Sequence, residues 1–268
     1  MKQLRVAFSG SGFKFPAHVG ALAAIKAAGI EVIEVAGTSG GSIVACLTAA
    51  GMPISNMTEL TMNNDWSDMM VYNPFAIFSG GYCNGRNLLN WIDKVTFGAS
   101  FSDLKIPLTV MSSDASSETG FTFSKKTEPN TTIAFAARCS ASIPIVYSAV
   151  KYKGALLQDG GMVNNMPVDV LVKDNIPRLG IHLTSQVSPL TSGDTGLMDL
   201  LARDLNMILS ANENAHIDGD ILEGCHFAFV ETGYANGLDR NMTQAIRQKL
   251  FNDGYAAAKA AIDGISFA

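Results

Sequence analysis

One pentapeptide constrains this chain more than any other feature. Gly37-Thr38-Ser39-Gly40-Gly41 comes directly after the apolar run Val32-Ile33-Glu34-Val35-Ala36. It has the G-x-S-x-G form of a nucleophile elbow, in which a serine on a tight strand-to-helix turn exposes its hydroxyl at the top of a sheet. Gly37 and Gly41 belong to that elbow because the turn is crowded and a Cβ would clash with an incoming substrate. A glycine-rich turn that only caps a helix would read the same way. Context favours the elbow: a β-rich run precedes it, and the helix-like run Ile43 to Ala50 comes after it, stopped by Gly51 and Pro53. Only 38 residues precede Ser39, too few for the strands that come before the elbow in an α/β-hydrolase.

The composition narrows the class. Of 268 residues, 47% are hydrophobic and 16% charged, which implies a large buried core. A net charge of -5 with no basic run argues against a nucleic-acid partner. No stretch approaches 18 apolar residues, so no transmembrane helix is expected. Met1-Lys2-Gln3-Leu4 runs into a strand without the apolar region of a signal peptide, which suggests a cytoplasmic protein. Cys46, Cys83, Cys139 and Cys225 are scattered without a CxxC. They could pair, but reduced thiols fit a cytoplasmic chain better. No clustered His, Cys or Asp side chains suggest a metal, and no cofactor is implied.

Strands are predicted at Arg5–Phe8, Val32–Ala36, Pro107–Ser112, Thr119–Ser124, Ala155–Gln158, Leu179–Thr184 and His226–Val230. Helices are predicted at His18–Ala28, Met57–Met62, Leu88–Val95, Thr131–Cys139, Leu197–Asn212 and Met242–Ile262. Early strand-helix alternation implies a mainly parallel sheet with helices on both faces. The polar stretch Thr184 to Asp194 reads as a mobile loop and a candidate boundary. The chain beyond Asp194 is too sparse to fold alone, so a single domain over 1–268 is expected. Asp65 to Tyr82 obeys neither the helical nor the strand period. It is either a buried connector or a lipid-contacting lid, for which Trp66, Phe75 and Phe78 are the candidate substrate-binding side chains.

A nucleophilic serine needs a base. On paper His182, His216 or His226 could complete a Ser…Asp…His order, but none lies in a loop rich in turn residues. Asp159 comes after the apolar Ala155-Leu156-Leu157 and precedes Gly160-Gly161, so it can approach another loop closely. A partly desolvated carboxylate there can accept the serine proton directly, although Asp-Gly turns are common for other reasons. Backbone N–H groups of Gly10, Ser11 and Gly12 could converge as an oxyanion hole, with Lys14 adding positive charge. A nucleotide loop is the competing reading, but Phe15 stands where the last glycine of G-x-G-x-x-G belongs.

Taken in order, Gly10-Ser11-Gly12-Phe13-Lys14, Gly37-Thr38-Ser39-Gly40-Gly41 and Asp159-Gly160-Gly161 resemble the patatin-like phospholipases. The segments His18 to Leu22, Ala141-Ser142-Ile143-Pro144 and Asn164-Asn165-Met166-Pro167-Val168 are similar as well, so the likeness runs from about residue 5 to 184. The resemblance implies a three-layer α/β fold and a Ser–Asp dyad without histidine, Ser39 as nucleophile and Asp159 as base. It implies a lipid acyl hydrolase with an acyl-serine intermediate, acting on phospholipid or lysophospholipid, with peripheral membrane contact. A serine acyltransferase or thioesterase, or a lipid-binding protein without turnover, would share the fold. Ser11 replaces the family's middle glycine, and Phe15 replaces a usual glycine, which narrows the expected mouth of the site.

Overall fold

The computed structural model describes residues 1–184 and 216–267. The predicted helix Leu197–Asn212 and nearly all of the predicted loop Thr184–Asp194 lie outside the described residues.

The chain opens with β1 (Gln3–Phe8), α1 (Phe15–Ala27), β2 (Glu31–Thr38), α2 (Gly40–Ala49) and α3 (Ile54–Asn63). Short β3 (Gly81–Cys83) precedes α4 (Arg86–Val95), β4 (Leu108–Asp114), β5 (Thr119–Ser124) and α5 (Ile133–Ser140). Then come β6 (Ile145–Tyr147), β7 (Val150–Tyr152), β8 (Ala155–Asp159), β9 (Arg178–Thr184), β10 (His226–Glu231) and α6 (Gln244–Asp263). Sequence reading does not find β3, β6 or β7. At three residues each, they are too short to display a period of two.

Among the described residues one sheet runs β10-β9-β1-β2-β4-β8-β7, with β5 on the free edge of β4. From β10 to β4 every pairing is parallel, and β5, β8 and β7 add antiparallel pairs. Side chains alternate between two cores as the pleat requires. Val6, Phe8 and Val35 join the larger core with α1, α2, α5 and α6, while Ala7 and Ala36 face a smaller one. That second face is covered by Met166, Val168 and Leu171 and by Ile217 of the helical stretch 216–222.

Buried residues of α6 recur at Arg247, Leu250, Gly254, Ala258 and Ile262, the stripe of an amphipathic helix. This stripe lies against α1, which is buried on nearly every side. The helices cross at glycines: a Cβ on Gly20 would sit 2.0 Å from the Phe251 carbonyl oxygen, and one on Gly254 would sit 1.9 Å from that of Ala17. The C-terminal helix is therefore packed into the main core, and β9 and β10 extend the same sheet. No described helix is long and apolar enough to cross a membrane.

The segment Asp65–Tyr82 divides. Trp66 and Met69 are buried, whereas Val71, Tyr72, Phe75, Phe78 and Tyr82 are exposed. Two short 3-10 turns, Ser67–Met70 and Pro74–Ser79, explain why no regular period shows in the sequence.

Candidate active site

The site forms where two strands meet tip to tip on one edge of β4. Residues 108–111 of β4 pair with the end of β2, and residues 112–114 pair with β8, which runs the opposite way. Thr38 is opposite Met111 and Asp159 opposite Ser112. The residue after Thr38 is therefore brought to the residue that ends β8. Ser39 Oγ donates to Asp159 Oδ2 at 2.7 Å.

Ser39 adopts φ 51° and ψ −127°, a left-handed conformation unfavourable for a residue with a Cβ and costing on the order of 1–3 kcal/mol. The elbow glycines are required by crowding. A Cβ on Gly41 would lie 2.3 Å from the Ser9 carbonyl oxygen, and one on Gly37 2.6 Å from that of Gly41. Ser42 Oγ donates to the Ser39 carbonyl at 2.6 Å, and the Ser39 N–H donates to Ser140 Oγ at 2.8 Å.

Asp159 is 4% exposed, and its Oδ1 accepts the Gly161 N–H at 2.8 Å. Burial pushes its carboxyl up to about 6, against the opposing pull of the bonds from Ser39 and Gly161. The histidines are placed elsewhere. His18 Nε2 pairs with the Ser9 carbonyl at 3.0 Å, and burial drives the pKa of its ring down to about 3. His182 lies within β9, His226 at the start of β10 and His216 in the helical stretch 216–222; among the described residues no histidine hydrogen-bonds Ser39.

The glycine loop after β1 lies against the elbow. A Cβ on Gly40 would be 2.3 Å from the Gly12 carbonyl oxygen and 2.9 Å from the Gly12 nitrogen. The loop's N–H groups are not equivalent. Gly10 donates to the Asn165 carbonyl at 3.0 Å and Phe13 to the Gly237 carbonyl at 2.8 Å, which leaves Ser11 and Gly12 without a protein acceptor among the described residues. Gly10, expected among the oxyanion donors, thus has its N–H already engaged. Lys14 Nζ donates to Thr232 Oγ1 at 2.9 Å, which ties the loop to the residue after β10. The turn Gly160 to Asn165 binds both loops: Thr38 Oγ1 donates to the Asn164 carbonyl at 2.7 Å, and Gly10 uses that of Asn165.

A narrow apolar pocket opens beside Ser39, lined by Gly12, Phe13, Phe15, Ile43, Met70, Leu88, Ala141, Ile143, Tyr147 and Leu238. Trp66 is 2% exposed in an aromatic cluster with Phe13, Phe15 and Trp91, so it backs the pocket wall. It is thereby unable to touch lipid, unlike Phe75 and Phe78, which are 77% and 88% exposed. Ser140, Gly237 and Leu238 escape sequence reading. Ser140 sits in the serine-rich stretch before Pro144 and had a signal there, but nothing local marks Gly237 or Leu238, which reach the site only through the fold. Among the described residues, no three or more His, Cys, Asp or Glu side chains are grouped to hold a metal.

Comparison with known proteins agrees with this fold. An uncharacterised protein, R571, of Acanthamoeba polyphaga mimivirus is 28% identical over 189 residues, covering 66% of this chain and 64% of that one. The "probable lipid hydrolase 463L" of Invertebrate iridescent virus 6 is 25% identical over 181 residues, covering 62% of each. The chain thus spans a little under two thirds of both relatives. The crystal structure of VipD from Legionella pneumophila superposes with a TM-score of 0.65 at 16% identity, over 98% of this chain and 66% of VipD, a likeness of fold. A protein-family model, the patatin-like phospholipase, matches residues 6–172, and the chain belongs to that family.

Proposed function

We propose that this protein is a lipid acyl hydrolase that cleaves fatty-acyl esters of phospholipid or lysophospholipid through Ser39 and Asp159. The observation that carries the reading is the 2.7 Å bond from Ser39 Oγ to a buried carboxylate at a strained elbow. The family match and the name of the viral relative support a lipid ester as substrate. Asp159, ionised, accepts the Ser39 proton as Oγ attacks the ester carbonyl. The Ser11 and Gly12 N–H groups hold the tetrahedral oxyanion. Asp159 then returns the proton to the leaving alcohol, and the acyl group remains on Ser39. Water deprotonated by Asp159 then attacks the acyl-serine, the acyl–Oγ bond breaks, and Asp159 returns that proton to Ser39 Oγ as the fatty acid leaves.

The pH dependence tests the base. Asp159 works only when deprotonated, and burial holds it near 6. Hydrolysis of a short-chain ester should therefore climb through about pH 6 and level off above it. A rate already level by about pH 4, near the ordinary carboxylate range, would remove Asp159 from the role.

The substrate part of the proposal assigns the apolar pocket to the acyl chain and the exposed Phe75 and Phe78 to the lipid surface. Each buried methylene contributes about 0.8 kcal/mol, so activity should rise with chain length. Replacing Phe75 and Phe78 with Ser should depress hydrolysis of long-chain phospholipid vesicles at least tenfold more than that of a soluble butyrate ester. Equal losses on both substrates would make this segment a structural connector.

A further inference from the structure

Chemistry at Ser39 and Asp159 depends on the groups that hold the two side chains in place. A serine at φ 51° and ψ −127° must be kept there by its surroundings. Its N–H donates to the hydroxyl of Ser140, the fully buried last residue of α5. Two residues on, the Ser142 carbonyl accepts the Asp159 N–H at 3.0 Å. The turn that ends α5 is therefore bonded to both members of the pair through their backbones.

This turn has its own anchor. Ser142 Oγ donates to the Arg138 carbonyl at 2.9 Å and accepts from Arg138 Nη1. Arg138 is 3% exposed and forms no ion pair among the described residues. Its Nη2 donates instead to the carbonyls of Asn84 and Ser148, at 2.9 and 3.0 Å, and the guanidinium lies 5.1 Å from the centre of the Tyr147 ring. The chain closes tightly on it at Gly85, where a Cβ would be 1.9 Å from Arg138 Nε. Burying a guanidinium without a carboxylate is costly, and an aliphatic side chain would fill the space without that cost. What the arginine supplies is a rigid fork that joins two backbone carbonyls, of Asn84 and Ser148, to the Ser142 hydroxyl.

We propose that the end of α5 is the positioning element of the site, in which Ser140 sets the Ser39 backbone, Ser142 sets Asp159, and Arg138 is the positioning residue that anchors the turn. The proposal rests on the Ser39–Asp159 reading. Its test is steady-state hydrolysis of a soluble short-chain ester by Ser140→Ala and Arg138→Lys across pH, with active serines counted by fluorophosphonate labelling and Ser39→Ala as reference. Ser140→Ala leaves a buried N–H without its acceptor. Its kcat per labelled serine should fall about 10- to 100-fold with KM within about twofold. The acid limb should move above pH 6, because an Asp159 out of line with Ser39 loses a bond that lowers its pKa. Arg138→Lys keeps the charge and loses the fork, so it should behave in the same way. Wild-type kcat in both variants, with Ser39→Ala inactive, overturns the positioning role and leaves the dyad standing. An active Ser39→Ala overturns the dyad itself. A fall only in the number of labelled serines, with kcat per site and the acid limb unmoved, reduces α5 to a folding role and also rejects the proposal. Should Arg138→Lys not fold, Ser140→Ala decides alone.

Discussion

Ser39→Ala and Asp159→Asn should each lower ester turnover on the order of 10⁴-fold or more, and the double variant should be no worse than either. Non-additivity is a consequence of the geometry. One hydrogen bond of 2.7 Å joins the two side chains, so removing either end removes the same proton transfer. Turnover within tenfold of wild type in either variant would end the dyad assignment. Asp159→Asn should also change stability, with a sign set by burial. The carboxyl is held up near 6 in the folded protein against an ordinary value of 3.8, so the folded chain binds this proton more tightly than the unfolded one. That contribution is complete below the unfolded pKa and is lost as pH rises through about 6. At about pH 8 the ionised, buried Asp159 costs on the order of 2–3 kcal/mol, a cost that asparagine avoids. The inactive variant should therefore melt above wild type at about pH 8, and the gap should close toward about pH 4. A lower melting temperature on the alkaline side would show that the bonds from Ser39 and Gly161 outweigh the burial.

The second large effect is on the fold. Gly254→Leu puts a side chain where the Ala17 carbonyl oxygen lies 1.9 Å from the Cβ position and its carbon 2.7 Å away. Those atoms belong to the backbone of α1 and cannot rotate aside, so α1 and α6 must separate. The expected loss is about 3–5 kcal/mol, which for a chain of this size lowers the melting temperature by roughly 10 °C. Ala256, exposed on the same helix, is the control: Ala256→Leu should shift the melting temperature by no more than about 2 °C. Comparable melting of the two variants would mean that α6 does not depend on its contact with α1. The site would feel the separation, because α1 begins directly after the glycine loop and α6 comes after the loop of Gly237 and Leu238.

Much of the site is readable from short range. The elbow announces itself because its strand, glycines and helix are contiguous, and Asp159 because two glycines succeed a strand. The first helix begins at Phe15 rather than at His18, since Pro16 is well placed in a first turn and costs no hydrogen bond there. The segment from Trp66 to Phe78 reads as uniform because composition does not record direction. In the fold Trp66 turns inward onto Phe13, Phe15 and Trp91, and Phe75 and Phe78 turn outward. The glycine loop is legible as a place where N–H groups converge. Which of them are free depends on acceptors at Asn165 and Gly237, far away in the chain.

The sequence by itself determined the local conformations: a strained serine between β2 and α2, a glycine turn before α1, and an aspartate at the end of a strand. Each arises from steric limits on a few adjacent residues, which act wherever those residues occur. Only the tertiary structure decided that Ser39 and Asp159 touch, because this requires β2 and β8 to share one edge of β4 and meet between Met111 and Ser112. It also decided that the end of α5 and the loop after β10 complete the site. Those contacts join residues about one hundred to two hundred positions apart, and their cost in chain entropy is met by the whole core rather than by any local signal.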